Sequence, residues 1–180
     1  MKIIVFHGST RSDGNTEYLA HLAVPEDKAT HVYLRDCFIQ DIQDERHSEE
    51  GFPEIDDDMA AIVDQMLDHD VLVFATPIYW YSMTSLMKTF IDRWSQIMRE
   101  DRYSHFKDRL KEKKAYVIAV GGDSPYIKGL PLIQQFKHIF EFFGTSFEGY
   151  LIGKANKPGE IKEDQRAIQA APTLIKELTE

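Results

Sequence analysis

The sequence predicts an α/β fold built on a five-stranded parallel sheet with helices on both faces. Short, continuous apolar runs such as residues 2–6 and 71–75 are typical of strands that are buried on both sides. Segments with the i, i+3, i+4 spacing of amphipathic helices alternate with these runs, which indicates right-handed crossovers between parallel strands. At 180 residues with 43% hydrophobic content, the chain can bury one core, so we expect a single domain over residues 1–180. For five strands, the order 2-1-3-4-5 is the simplest arrangement.

The first half of the chain contains three of the predicted strands and two helices. The strands cover residues 2–6, 31–34 and 71–75, and the helices cover residues 15–22 and 59–67. Asn15 is the predicted N-cap of the first helix, and Pro25 lies beyond its end. Pro77 ends the third strand.

The second half begins with a long amphipathic helix and ends with another helix. The predicted elements are a helix at 85–98 with its extension and connection at 99–114, strands at 115–120 and 149–152, and helices at 130–143 and 162–180. Gly121 and Gly122 end the fourth strand, and Gly144 is a C-cap signal. Pro172 is expected to kink or split the last helix.

The charge of the chain argues against a nucleic-acid partner. The formal net charge is −9, whereas binding to a phosphate backbone requires a basic surface. Most of this charge lies in residues 41–58, the acidic segment, which has nine acidic residues and one basic residue, Arg46. This segment is either a solvated loop that aids solubility or a flexible acidic flap over a site.

Several classes of protein are not expected from the sequence. The chain starts directly with a strand-like segment rather than a secretory signal, and no apolar run approaches the roughly 20 residues that span a bilayer. We therefore predict a cytoplasmic protein without a membrane partner. The single cysteine, Cys37, excludes a cysteine-built cluster, and the seven histidines are scattered along the sequence. No metal ligand and no catalytic nucleophile, acid or base is assigned.

The segment HGSTRSDGNT, residues 7–16, joins the first strand to the first helix. Such a loop points backbone N–H groups and the positive end of the helix dipole at one place, which favours an anion. Arg11 adds a forked cation that matches phosphate oxygens, and short polar groups come from Ser9, Thr10, Ser12, Asn15 and Thr16. The segment lacks the lysine of a nucleoside triphosphate loop and the glycine spacing of a dinucleotide fingerprint, so it suits a terminal phosphate.

The segment TPIYWYSMTSLMKTFIDRW, residues 76–94, follows the third strand. Its three consecutive aromatic residues cannot all face one core, so some lie against a ligand, a partner chain or solvent. A flat heteroaromatic ring is the ligand that they favour, and an aromatic interface or core patch is the alternative. In an open parallel sheet, a ligand binds beyond the carboxyl ends of the strands where strand order reverses. The loops 7–15, 77–84 and 121–129 are therefore expected to converge on one site.

These two segments resemble the NAD(P)H-dependent FMN reductases and the related NAD(P)H:quinone oxidoreductases. The match lies in GSTRSDGNT and in TPIYWYSM followed by LMKTFIDR, whose order and positions agree with the family patterns. The resemblance extends over residues 1 to about 152. It implies a flavodoxin-like fold, which is a three-layer sandwich around the predicted sheet.

The resemblance also implies which residues hold the cofactor, FMN. The phosphate would be held by Ser9, Arg11, Gly14, Asn15 and Thr16. The isoalloxazine ring would be bordered, largely through backbone, by Pro77, Ile78, Tyr79 and Trp80. Gly121 and Gly122 would approach the ring or the incoming substrate. The remaining motif residues are expected to be structural, namely Phe90, Ile91 and Trp94 as helix core or dimer contact, and Asp92 with Arg93 as a structural or interface pair.

By this resemblance the protein is an FMN-dependent oxidoreductase. It would pass a hydride from NADH or NADPH to a quinone, a flavin, or an azo or nitro compound, and it would form a homodimer or homotetramer. The alternative is an electron-carrier flavodoxin that binds FMN without turnover of a nicotinamide, a reading that the acidity of the chain favours. Arg11 and the helix that contains LMKTFIDR favour the enzyme.

Overall fold

The sheet of the protein is parallel and five-stranded, in the order β2-β1-β3-β4-β5. The structure, a computed structural model, describes residues 1–175. The strands are β1 (Ile3–His7), β2 (Thr30–Tyr33), β3 (Val71–Pro77), β4 (Lys114–Gly121) and β5 (Ser146–Lys154). The predicted fold class and strand order are therefore confirmed.

The helices cover both faces of this sheet. They are α1 (Asn15–Ala23), α2 (Met59–Leu67), α3 (Ser85–Asp92), α4 (Trp94–Ile97), α5 (Phe106–Lys111), α6 (Pro125–Lys128), α7 (Leu130–Phe143) and α8 (Gln165–Ala170). Side chains alternate along each strand, so Ile4 and Phe6 point into a large aromatic core, while Ile3 and Val5 point into a second core on the opposite face. The larger core includes residues of α2 to α5 and α7, and the smaller one includes residues of α1 and α8.

Several predicted helix boundaries are wrong, because short helices stand where longer ones were predicted. The predicted helix 85–98 breaks at Arg93 into α3 and α4, and the connection after it contains a separate helix, α5. Phe106 and Leu110 of α5 are buried one helical turn apart, which fixes this short element against the core. The predicted helix 162–180 consists of short pieces up to Thr173, with Pro172 in the last of them, and residues 176–180 lie outside the described residues.

The N-cap of α1 is Gly14 rather than the predicted Asn15. Gly14 has extended backbone angles and provides no side-chain cap, while Asn15 is the first helical residue. The Asn15 side chain reaches a different part of the chain instead, because its amide oxygen accepts hydrogen bonds from the N–H groups of Gly159 and Ile161.

The acidic segment is attached to the body of the protein by a buried ion pair. Arg93 donates to the Asp57 carboxylate at 2.5 Å, and the two side chains are only 2% and 1% exposed. Asp57 also accepts hydrogen bonds from the backbone N–H groups of Gln40 and Met59. The predicted pairing of Asp92 with Arg93 is wrong, since Asp92 pairs with Lys88 at the surface. Adjacent helical residues point in different directions, which separates their partners.

None of the helices within residues 1–175 has the length and apolar character that crossing a bilayer requires.

Replacement of Asp57 by alanine is expected to lower the free energy of unfolding by about 3–5 kcal/mol, because the buried guanidinium of Arg93 loses its counter-charge. Urea denaturation measures this loss. The matched control is Asp92→Ala, which removes the exposed partner of Lys88 and should cost no more than about 0.5 kcal/mol. Similar losses for both variants would contradict the anchoring role of Asp57.

Candidate active site

The loops after β1, β3 and β4 converge at the carboxyl edge of the sheet around a cavity of about 280 Å³. Ten of the eleven residues predicted from the sequence line this cavity, namely Ser9, Arg11, Gly14, Asn15, Thr16, Pro77, Ile78, Tyr79, Gly121 and Gly122. Trp80 does not line it and lies in an adjoining cavity of about 260 Å³. The two cavities share Ile78, Gly121 and Gly122.

The amino end of α1 lies at the cavity and has N–H groups that the helix itself does not use as donors. The first backbone bond of the helix runs from the Tyr18 N–H to the Gly14 carbonyl at 2.9 Å, so the N–H groups of the three residues before Tyr18 precede the helical ladder. The side chains of Ser9 and Thr16 are buried beside them. Asp13 is exposed with a φ of 55°, as expected for a residue on the solvent side of the turn.

Two arginines make the region around this helix end receptive to an anion. Arg35 donates to the Glu17 carboxylate at 2.7 Å and to the Arg11 carbonyl at 3.1 Å, so the acidic residue in the first turn already has a counter-charge. Arg11 lines the cavity, and its guanidinium has no ion-pair partner among residues 1–175. The positive end of the helix dipole and Arg11 therefore act together on this part of the cavity.

A buried threonine holds the loop after β1, the first loop, against the loop after β3, the second loop. The loop after β4 is the third loop. Thr84 donates from its hydroxyl to the Gly8 carbonyl at 2.6 Å, and the same oxygen accepts the N–H of Met87 as the N-cap of α3. The Thr84 N–H in turn donates to the hydroxyl of Thr76. A Cβ at Gly8 would lie 3.1 Å from side-chain atoms of Met87 and Thr84, which explains the glycine at this crossing.

A fourth segment, which follows β5, also lines the cavity. The sequence alone did not predict this segment as part of the site. Ala155, Asn156 and Pro158 line the cavity. The Asn15 side chain fastens this segment, because it donates to the Lys157 carbonyl at 2.8 Å and accepts from the Gly159 N–H at 2.9 Å. Both polar atoms of this side chain are therefore engaged with backbone. No local pattern in residues 155–158 could have identified this contact, since it joins residues far apart in sequence.

The second loop is a tight hairpin with an unusual backbone. Tyr79 and Ser82 exchange both backbone hydrogen bonds, at 2.9 and 3.0 Å, and the two residues between them, Trp80 and Tyr81, have φ angles of 48° and 65°. Positive φ at both central positions is typical of glycine or asparagine rather than of bulky aromatic residues. Each such residue costs roughly 1–3 kcal/mol and is often found at functional sites. The Trp80 side chain is 92% exposed.

The third loop supplies close packing and a charged pair. A Cβ at Gly121 would lie 3.1 Å from the Ile78 side chain, so glycine lets the second and third loops touch. Asp123 accepts hydrogen bonds from Lys128 at 2.7 Å and from the Tyr81 hydroxyl at 2.9 Å. The Lys128 bond, and then the Tyr81 bond, lower the pKa of Asp123. Asp123 therefore links the third loop to Tyr81 of the hairpin, beside the adjoining cavity.

Three histidines that are scattered in the sequence meet beside β1. One ring nitrogen from each of His7, His21 and His31 lies within 4.8 Å of the others. None of the three lines the cavity at the edge of the sheet. Their assembly was missed because the strand register and the packing of α1 create it.

A parallel sheet of this order, with a cavity where the strand order reverses, is the architecture of flavodoxin-like proteins. The family model of the NADPH-dependent FMN reductases matches residues 1–149, and the chain belongs to this family. It is therefore an oxidoreductase that depends on FMN and uses NAD(P)H.

A curated protein and a solved structure, both from Bacillus subtilis, are similar over nearly the whole chain. One is named as the NAD(P)H-dependent FMN-containing oxidoreductase YwqN and is 53% identical over 176 residues, which are 98% of this chain and 97% of the relative. The other is a solved structure described as the Trp repressor binding protein, with 47% identity, a TM-score of 0.82 and 97% of each chain covered.

A more distant structure supports the fold alone. It is an FMN-dependent NADH-azoreductase from Bacillus anthracis in complex with FMN. The two chains are 13% identical with a TM-score of 0.68, and the alignment covers 100% of each.

Replacement of Thr84 by valine keeps the shape of the side chain but leaves the buried Gly8 carbonyl without its donor. We expect the free energy of unfolding to fall by about 1–3 kcal/mol, together with weaker binding of FMN, because the first loop loses its support. Urea denaturation and flavin titration measure the two effects. Thr89→Val is the control on the same helix, since that hydroxyl donates to Asp41 at the surface, and its effect should stay within about 0.5 kcal/mol.

Proposed function

We propose that FMN binds across the cavity with its phosphate at the amino end of α1. The observation that carries the proposal is the convergence of ten predicted residues from three loops on one cavity. The N–H groups at the start of α1, the buried residues Ser9 and Thr16, and Arg11, which has no ion-pair partner within residues 1–175, fit a phosphate dianion. Because the Asn15 side chain is bonded to residues 157–161, its contribution would come from its backbone N–H.

The isoalloxazine ring would lie between the second and third loops. Pro77, Ile78 and Tyr79 form one side of this part of the cavity, and Gly121 with Gly122 forms another. Glycines without side chains leave room for a flat ring, and backbone groups of these loops can serve its polar edge. When bound, FMN supplies the redox chemistry, taking a hydride from the nicotinamide and passing reducing equivalents to the acceptor. The residues of this chain orient the ring and its partners, and no side chain need act as an acid or base.

The adjoining cavity suits a flat acceptor. Trp80 and Tyr81 border it, and it meets the first cavity at Ile78, Gly121 and Gly122. Exposed aromatic faces stack on planar molecules, so a quinone, an azo or nitro compound, or a free flavin is the proposed acceptor. The strained backbone at Trp80 supports this role, because it holds a large apolar ring in solvent.

Assembly and location stay predictions. A homodimer or homotetramer is consistent with the exposed apolar side chains around the second and third loops, which include Trp80, Ile127 and Leu130. We expect an NAD(P)H-linked enzyme of this kind in the cytoplasm.

Arg11→Gln should weaken FMN binding about 10- to 100-fold, because one charge-assisted contact with the phosphate is lost. The measurement is the Kd for FMN from fluorescence quenching of the flavin titrated with protein. Arg99→Gln is the control, since Arg99 is an exposed arginine that donates to the Ser95 carbonyl away from the cavity, and its Kd should match the wild type. An unchanged Kd for the Arg11 variant would refute the proposed phosphate position.

Acceptor use is tested by steady-state oxidation of NADH and NADPH with a quinone, an azo dye, a nitro compound and free FMN in turn. Trp80→Gly should raise KM for the aromatic acceptor several-fold while the Kd for FMN is unchanged. The same substitution relieves a left-handed φ, so the free energy of unfolding should stay constant or rise by about 1 kcal/mol.

The control for this variant is Phe142→Ala, which removes another exposed ring that lies on α7 outside both cavities. Its KM values should equal those of the wild type. If Trp80→Gly leaves every acceptor KM unchanged, the adjoining cavity is not the acceptor site. If the wild-type protein oxidises NAD(P)H with none of the acceptors, the proposed acceptor classes are wrong.

A further inference from the structure

The three histidines beside β1 form a compact cluster on one face of the sheet. His7 is the last residue of β1 and lies opposite Tyr33 of β2, while His31 lies opposite Val5, two residues earlier on the same face. His21 comes from the last turn of α1, which covers this face. Three separate elements therefore each contribute one imidazole.

The geometry of the cluster leaves several ring nitrogens without a protein partner. His7 Nε2 and His31 Nδ1 are 2.9 Å apart, and His21 Nε2 lies 3.4 Å from the Tyr33 hydroxyl. The other three ring nitrogens are His7 Nδ1, His21 Nδ1 and His31 Nε2, and they are buried with no hydrogen-bond partner among the described residues. His7 as a whole is only 1% exposed to solvent. Buried polar atoms without partners are rare in proteins, and on His7 and His31 they belong to rings whose other nitrogens face each other.

The surroundings of the cluster contain both signs of charge, and a cavity lies beside it. Arg35 is the nearby cation, and its charge is balanced by Glu17 at 2.7 Å. His21 and Tyr33 line a cavity of about 480 Å³, and Glu26 at its rim supplies a further negative charge. This cavity on one side of the cluster leaves room for water as an additional ligand.

We propose that His7, His21 and His31 bind a divalent transition-metal ion, for which Zn²⁺ is the probe of choice. Imidazole nitrogens suit Zn²⁺, Cu²⁺ and Ni²⁺, and three protein nitrogens with one water are a common zinc arrangement. Zinc–nitrogen bonds of about 2.0–2.1 Å place two ligands of a tetrahedral site about 3.3 Å apart. The separation of 2.9 Å between His7 Nε2 and His31 Nδ1 is a hydrogen bond that the ion would replace, and it is close to this value. The nitrogen of the half-buried His21 would have to move closer, because the three ligand nitrogens lie only within 4.8 Å of one another.

A metal ion at this position would fasten α1 to the β1–β2 edge of the sheet. It is separate from the FMN cavity, because none of the three histidines lines that cavity. His7 nevertheless directly precedes Gly8, so the ion would also fix the end of the strand from which the first loop departs. The proposal does not depend on which acceptor the enzyme reduces.

Calorimetric titration of the chelator-treated full-length holoprotein with Zn²⁺ tests the proposal. One ion per chain should bind to the wild type. His21→Gln and His31→Gln each remove a direct ligand, so each should weaken binding by more than the about 10- to 100-fold that loss of an outer partner costs. Both positions are half-buried, whereas the fully buried His7 is left intact to preserve folding, which circular dichroism checks.

The matched control is His138→Gln, an exposed histidine on α7 whose side chain is 73% exposed, and its zinc affinity should equal that of the wild type. Titration with Co²⁺ adds a readout of geometry, because a tetrahedral site gives visible ligand-field absorption that His21→Gln should abolish. Equal zinc binding by the wild type and the His21→Gln/His31→Gln double variant would overturn the proposal. So would a zinc-soaked crystal with only water at the three nitrogens.

Discussion

The hydrogen bond from Thr84 to the Gly8 carbonyl is the contact on which the cavity depends. It joins the start of α3 to the end of β1, so the two segments recognised in the sequence become one rigid wall. Because the same hydroxyl caps α3 and the Thr84 N–H is held by Thr76, the position of the second loop is fixed by three bonds in a fully buried setting. A buried polar group that is fully satisfied in this way rigidifies its neighbours.

The sequence was sufficient for the fold because burial on both faces leaves a strong pattern. The strands β1, β3 and β4 are continuous apolar runs, the crossovers between them make the sheet parallel, and the order 2-1-3-4-5 was the simplest one for five strands. The edge strand β5 was predicted too short, because only Leu151 to Gly153 are buried, and its first five residues alternate between exposed and partly buried positions. Short helices such as α6 were missed since four residues contain too little periodicity to detect.

The candidate site was predictable to the extent that it is local. Loops at the carboxyl ends of parallel strands must meet, which is why the cavity contains nearly all the residues expected from the two segments. Asn15 shows the limit of this reasoning, because composition gives no information on whether an amide will meet a ligand or a distant turn. The wall formed by residues 155–158 and the meeting of His7 with His21 and His31 likewise arise only from tertiary packing.

The position of Asp57 has a consequence for the behaviour of the acidic segment in concentrated salt. At an ionic strength of about 1 M the Debye length is only about 3 Å, so exposed pairs such as Arg46 with Asp44 are largely screened. The pair between Arg93 and Asp57 lies beyond the reach of mobile ions, since both side chains are almost completely enclosed. A strongly saline medium would therefore weaken the exposed ion pairs of this segment, together with the repulsion among its carboxylates, and leave Asp57 attached to the α3–α4 junction.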